Sequence, residues 1–232
     1  DVWLYRSYAK PLTGIGSIPE SPFTGRSNVL FGMNIKVAVQ GDAFLPSFTE
    51  GDNSSIVATD SMKNFILKHA ASYTGATVEG FLAYVSQLFL ETYPQMMKVQ
   101  MTADQIPFED VPIGVDGSYR SSTMVFRYSQ NDRGTAAIEA ERNGDQIEWS
   151  NHFSGLADLR LIKVKGSEFA GFIKDEYTSL PETRDRPLFI FLDINWRYHD
   201  PRDGMDDTRG RYVAAEQVSD IAAAVFHECR SA

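Results

Sequence analysis

The chain has 232 residues, 43% of them hydrophobic and 12% aromatic, which is enough apolar side chain for a packed core and excludes disorder. A formal net charge of -9 argues against a nucleic-acid partner or an anionic membrane, either of which needs a basic face. One cysteine, Cys229, leaves no intrachain disulfide and points to a reducing, cytoplasmic compartment; no apolar stretch approaches the ~20 residues of a membrane helix, and no signal peptide opens the chain.

The length allows one large domain or two small ones. Residues 2–8 form a short β-rich run, and 11–25 are a Gly/Pro/Ser-rich loop. Residues 28–40 alternate, with Met33, Ile35, Val37 and Val39 on one face, as a long half-buried strand does. Thr59, Asp60 or Ser61 can cap a helix with apolar positions Met62, Phe65, Ile66 and Tyr73. Thr77 caps a second helix carrying Phe81, Leu82, Val85, Leu88 and Phe89, which Pro94 ends. Met97, Val99 and Met101 alternate in the strand that follows.

The second half opens in the same way. Runs at 123–129 and 135–142 flank Asn131-Asp132-Arg133-Gly134, a hairpin signal. Asn143-Gly144 turns the chain again into a strand at 146–152, and another strand covers 159–164. Residues 188–198 alternate: Leu188, Ile190, Leu192, Ile194 and Trp196 oppose Phe189, Phe191, Asp193, Asn195 and Arg197. A helix over 214–227 has Ala214, Val218, Ile221, Ala222 and Val225 as its stripe. The pattern predicts antiparallel sheet with helices on one face, an α+β layout. If the halves are repeats, the second lacks a helix and closing strands, which leaves that stripe and a sheet edge uncovered.

Two motifs carry the chemistry. Residues 159–186, LRLIKVKGSEFAGFIKDEYTSLPETRDR, place Ser167-x-Phe169, Phe172, Tyr177, Leu180 and Arg186 after a strand. Residues 52–64 read DNSSIVATDSMKN. By themselves these residues have ordinary readings: Thr59 as a helix cap, Phe169 as a core ring, Arg186 beside Asp185 as a loop ion pair. At this spacing and in this order, both segments resemble the signature motifs of urate oxidases (uricases). The segment Ser7-Tyr8-Ala9-Lys10-Pro11 looks most like the Bacillus-type bacterial members.

The resemblance covers essentially the whole chain and implies tandem tunnelling-fold (T-fold) domains, divided at 1–118 and 119–232. It implies oxidation of urate by O2 to 5-hydroxyisourate and hydrogen peroxide without metal or organic cofactor. It also implies a homotetramer with sites at subunit interfaces. There Thr59 partners a catalytic lysine and faces the oxygen position, and Asp60 contacts urate through its main chain in the family pattern. Phe169 stacks on the purine, and Arg186 clamps its edge from the neighbouring chain. Phe172 and Tyr177 are expected in the core. The family lysine before the first strand, and the later Ile/Val-Gln pair and Asn-His segment, have no counterpart in 1–232. An incomplete uricase is therefore expected, with a non-catalytic T-fold fragment that binds purines or only assembles as the alternative. Lys10 follows the first strand and Lys63 sits inside a helix, so neither replaces that lysine.

Other chemistries fit poorly. The pair Asp175-Glu176 suggests a glycosidase, but adjacent carboxylates diverge in direction. His69, His152, His199 and His227 show no metal-ligand spacing, since positions two apart on a helix, as in His227-Glu228-Cys229, point away from each other. Gly14-Ile15-Gly16 lacks the third glycine of a dinucleotide fingerprint. The end, Arg230-Ser231-Ala232, is not a peroxisomal address.

Overall fold

The structure is a computed structural model describing residues 2–8, 10–129 and 132–229. Ala9, Asn131 of the expected turn, and the 230–232 end fall outside the described residues. The strands are β1 Val2–Tyr8, β2 Val29–Gln40, β3 Lys98–Gln105, β4 Phe108–Val115, β5 Ser118–Tyr128, β6 Arg133–Asn143, β7 Gln146–Lys163 and β8 Leu188–Trp196. The helices are α1 Leu45–Thr49, α2 Thr59–Ala70, α3 Val78–Thr92, α4 Arg202–Met205 and α5 Ala215–Glu228.

Six strands form one antiparallel sheet in the order β1-β2-β3-β6-β7-β8, while β4 and β5 make a separate two-stranded ribbon. Register follows the alternation of apolar side chains. Val2, Ile35, Ala103, Ala136, Ser154 and Trp196 stand opposite one another in a single row across all six strands. A one-residue slip would turn every one of these side chains to the other face. α2 and α3 cover this face over β1, β2, β3 and β6, where Phe81, Leu82, Val85, Phe89, Met33, Ile35, Val99 and Met101 are buried. α5 covers the same face farther on: Ala222 and Val218 pack against Leu156 and Leu159, while Ile221 and Val225 remain exposed. The molecule is thus α+β, with an antiparallel sheet and helices on one face, as expected.

α3 forms where the sequence signals it. The Thr77 hydroxyl accepts from the Gly80 N–H at 3.1 Å, and the helix stops at Thr92, two residues before Pro94. Gly80 is required for a close approach, because a Cβ there would lie 2.2 Å from the Met205 carbonyl oxygen. α2 corrects the capping expectation. Its N-cap is Ala58, with no side-chain cap bond, so Thr59, Asp60 and Ser61 fall in the first turn; Tyr73 lies beyond the helix end.

The second half departs from expectation in two places. The runs on either side of 131–134 do not pair with each other: β5 pairs with β4, and β6 inserts between β3 and β7. The cause is burial, since Ala136, Ile138 and Ala140 fit beneath α3 whereas β5 is exposed along most of its length. The strands expected at 146–152 and 159–164 are one long strand, β7. It keeps its ladder through two irregularities, next to which Asn151 and Asp158 take positive φ. Met97 is exposed and precedes β3. The Asn143-Gly144 turn forms as expected, with Asn143 opposite Gln146 and Gly144 at φ 60°.

The face away from the helices holds a buried charge. Glu139 accepts from Lys98 Nζ at 2.8 Å, Gln100 Nε2 at 2.5 Å and Ser150 Oγ at 3.0 Å. The hydrogen bond from Lys98, then that from Gln100, holds its carboxyl down at about 2.

Candidate functional site

The segment after β7 leaves the sheet as a loop that folds back on itself before β8. Phe169 and Thr183 exchange both backbone hydrogen bonds, at 2.8 and 3.0 Å. The Arg186 N–H donates to the carbonyl of Ser167 at 2.9 Å, and Ser167 itself is buried. The Asp185 carboxylate accepts from the Gly166 N–H at 3.0 Å, where φ of 76° suits glycine. These bonds bring the two ends of the signature segment together and set the positions of Phe169 and Arg186.

At this junction the Arg186 guanidinium carbon lies 5.1 Å from the Phe169 ring centroid. A cation over an aromatic face is attracted by the ring quadrupole, and a guanidinium also stacks flat on it. Phe172 stacks on Phe169 with centroids 4.5 Å apart and planes 18° apart. Phe169 keeps 36% of its surface open, and Arg186 is exposed. A half-open aromatic ring beside a guanidinium fork is suited to a flat anion, which the ring can stack and the fork can bond at its edge.

Phe172 and Tyr177 do not lie in the core. Phe172 is half-buried against Phe169, and Tyr177 is 84% exposed. The reason is local: Asp175 draws the chain into a tight turn, accepting from the Tyr177 N–H at 3.0 Å and the Thr178 hydroxyl at 2.8 Å, and this turns the Tyr177 ring outward.

Thr59 and Asp60 sit elsewhere, exposed in the first turn of α2. The first intrahelical bond runs from the Met62 N–H to the Ala58 carbonyl at 3.1 Å, so the N–H groups of Thr59, Asp60 and Ser61 precede the ladder. Asp60 accepts from the Asn64 side chain at 3.2 Å. Among the described residues no hydrogen bond, ion pair or ring contact joins Thr59 or Asp60 to Phe169 or Arg186. The four therefore form two pairs within one chain. A cavity of about 270 Å³ lies apart from both, lined by Arg26, Gln105, Glu109, Asp132, Arg133 and Asp220 among others. Its walls mix both signs of charge, so it offers no preference for an anion.

One perturbed group gave no sequence signal. Glu79, on the first turn of α3, accepts from the Ser154 hydroxyl on β7 and from the Tyr212 hydroxyl at 3.4 Å. Burial pushes its carboxyl up to about 7, against those hydrogen bonds. Burial also raises Tyr212 and Tyr198. Tyr198 joins the same network through Ser154, and its hydroxyl accepts from the Val213 N–H at 3.1 Å. The partners of Glu79 lie 75 and 133 positions away, so in sequence it reads only as an acid at a helix N-terminus. Its role here is to tie the segment after β8 to α3.

Among the described residues no three His, Cys, Asp or Glu side chains are grouped to hold a metal ion, and no helix is long and apolar enough to cross a membrane. His152 Nε2 lies 2.9 Å from the Tyr198 carbonyl oxygen, and the His69 ring meets Phe65 at a tilt, with centroids 4.3 Å apart.

Comparison with known proteins adds the following. A family model described as "Uricase" matches residues 32–139 and 152–232. The uric acid degradation bifunctional protein PucL of Bacillus subtilis is 50% identical over 98% of this chain, which covers 46% of that protein. The uricase of Haloferax volcanii is 51% identical over 100% of this chain, which covers 76% of it. A solved structure of a highly active mutant of Bacillus sp. TB-90 urate oxidase is 51% identical and matches with a TM-score of 0.92, over 99% of this chain and 78% of that one. The chain therefore spans about half the length of the bifunctional relatives it matches, covering 46% of each, and about three quarters of the uricase.

Proposed function

The chain belongs to the uricase family, with the antiparallel T-fold sheet of its solved relatives, and from that premise we propose that it carries the substrate-holding part of a urate oxidase. The reaction we propose is oxidation of urate by O2, with one water, to 5-hydroxyisourate and hydrogen peroxide. The observation that carries this reading is the Arg186 guanidinium 5.1 Å from the Phe169 ring, in a loop whose own hydrogen bonds fix both residues.

In this reading Phe169 sets the plane of the purine and Arg186 bonds its edge, which removes the translational and rotational freedom of an electron-rich anion. Thr59, at the start of α2, relays a proton from urate toward a base and faces the oxygen position. Asp60 binds urate through its main chain, one of the N–H groups left over at the helix start. The urate anion itself supplies two electrons to O2, so the protein contributes orientation and proton handling and needs no metal or flavin. Two T-fold units, 1–118 and 119–232, a homotetramer and a cytoplasmic setting complete the proposal. The separation of Thr59 and Asp60 from Phe169 and Arg186 within one chain supports sites shared between neighbouring subunits.

The test is hydrogen peroxide release from urate in air, followed together with loss of urate absorbance, in the parent protein and in Phe169→Ala. Stoichiometric peroxide that Phe169→Ala reduces sharply is the expected result. Urate consumption without peroxide would sink the oxidase reading.

A further inference from the structure

Phe172 has no part in the proposed chemistry, yet it makes the closest ring contact in the signature loop. Its ring lies 4.5 Å from Phe169 and within 18° of parallel, so it backs one face of Phe169. Phe172 is fixed in turn. Lys174 Nζ stands 5.9 Å over its ring and pairs with Glu182 at 3.3 Å. Glu182 also accepts from the Gly171 N–H at 3.2 Å, and it precedes Thr183, whose backbone is bonded to Phe169. The column Phe169–Phe172–Lys174–Glu182 therefore closes on itself across the loop.

We infer that Phe172 is a positioning residue for the purine site, holding the Phe169 ring in the plane against which the ligand stacks. The inference rests on the reading of Phe169 given above. A ring with 36% of its surface exposed pivots unless something backs it, and a ligand that had to stop that motion would bind more weakly. Phe172 and the Lys174–Glu182 pair stop it before the ligand arrives. Phe172 acts through Phe169, without touching the ligand.

Xanthine, a flat purine, serves as the probe, with binding measured by titration calorimetry on the full protein. Phe172→Leu keeps the volume and loses the flat face, and should weaken xanthine by about 2- to 10-fold. Phe172→Tyr keeps the face and should stay within about twofold of the parent. Glu182→Gln, which releases Lys174, should shift affinity in the same direction as Phe172→Leu even if that variant folds poorly. In turnover KM should rise while kcat stays within about twofold, because the contact orders the ground state and the transition state alike. The decisive arm is a double-mutant cycle: in a Phe169→Ala background, Phe172→Leu should have no further effect. An equal loss in that background, or no loss in Phe172→Leu and Glu182→Gln when Phe169→Ala does weaken xanthine, overturns the positioning role and leaves the purine site standing. If Phe169→Ala leaves xanthine binding unchanged, or the parent binds none, the purine site itself fails and this inference falls with it.

Discussion

The Arg186 guanidinium carbon sits 5.1 Å from the Phe169 ring centroid, on a loop where the Arg186 N–H is bonded to the Ser167 carbonyl. The stacking surface and the planar cation are thus held by a single backbone pairing, and each limits where the other can go.

Phe169→Ala removes the stacking platform and should weaken urate or xanthine by about 1–3 kcal/mol. Arg186→Lys keeps the charge but loses the two-pronged donor, and should weaken the same ligands by about 1–3 kcal/mol. Equilibrium binding in each variant checks both. If Arg186→Lys binds as tightly as the parent, charge alone suffices and the bidentate clamp is wrong.

Much of the fold was legible where one face of an element is buried and the other is not. β2 and β8 alternate cleanly because each has a covered face, and α3 shows its cap, its stripe and its proline stop between Thr77 and Pro94. The run at 123–129 was read and lies largely in β5, but β4 and its pairing with β5 went unread because the ribbon has no core face: it carries exposed Tyr119, Met124 and Tyr128, with Pro112 inside β4. The pairing of β6 with β3 was invisible for a different reason. A turn signal beside two runs argues for a local hairpin, whereas the winning contact was long-range burial under α3. The candidate site was proposed only through resemblance, since the contact between Phe169 and Arg186 depends on a loop pairing that no periodicity encodes.

Stability should carry the signature of Glu79. A carboxyl raised to about 7 by burial binds its proton more tightly in the folded protein than in the unfolded chain, where its value is 4.5. Its contribution is therefore complete below about pH 4.5 and is lost as pH rises through about 7, a change of at most about 3 kcal/mol. Glu79→Gln keeps the shape without the charge and should flatten that slope. Denaturant unfolding at pH 5, 6, 7 and 8 for both proteins tests it. An equal slope in the variant would assign the dependence to another group.

Thr77 stabilises through two bonds, one from the Gly80 N–H at 3.1 Å and one to the Met205 carbonyl at 3.0 Å. Thr77→Ala should cost about 1–2 kcal/mol, more than an exposed cap, because the second bond ties α3 to α4. Thr77→Ser keeps both bonds and should cost much less. Thermal unfolding of the pair measures the difference. Equal losses in the two variants would show that the methyl group matters and the hydroxyl does not.

Urate consumption should survive prolonged chelation. The imidazole nitrogen of His152 lies against the Tyr198 carbonyl and the His69 ring packs at a tilt on Phe65, so both are engaged in holding the fold. Turnover after dialysis against a strong chelator, compared with turnover after adding back single divalent ions, decides the point. Activity lost on chelation and recovered with one particular metal would overturn the cofactor-free reading.

The two residue pairs allow a sharper test. Thr59 and Asp60 open α2, while Phe169 and Arg186 sit in the loop before β8, and no contact among the described residues joins them. If a site takes Thr59 from one subunit and Phe169 from its neighbour, Thr59→Ala and Phe169→Ala chains should complement each other. Each homogeneous variant should be nearly inactive. Unfolded together and refolded as an equal mixture, they should recover about a quarter of the parent activity, the chance that a site draws its intact half from each kind of chain. Mixing the folded variants without subunit exchange should recover nothing. A refolded mixture no more active than its components, with mixed oligomers verified by mass, would place all four residues in one chain's own site and require α2 and the 165–187 loop to meet within a single subunit.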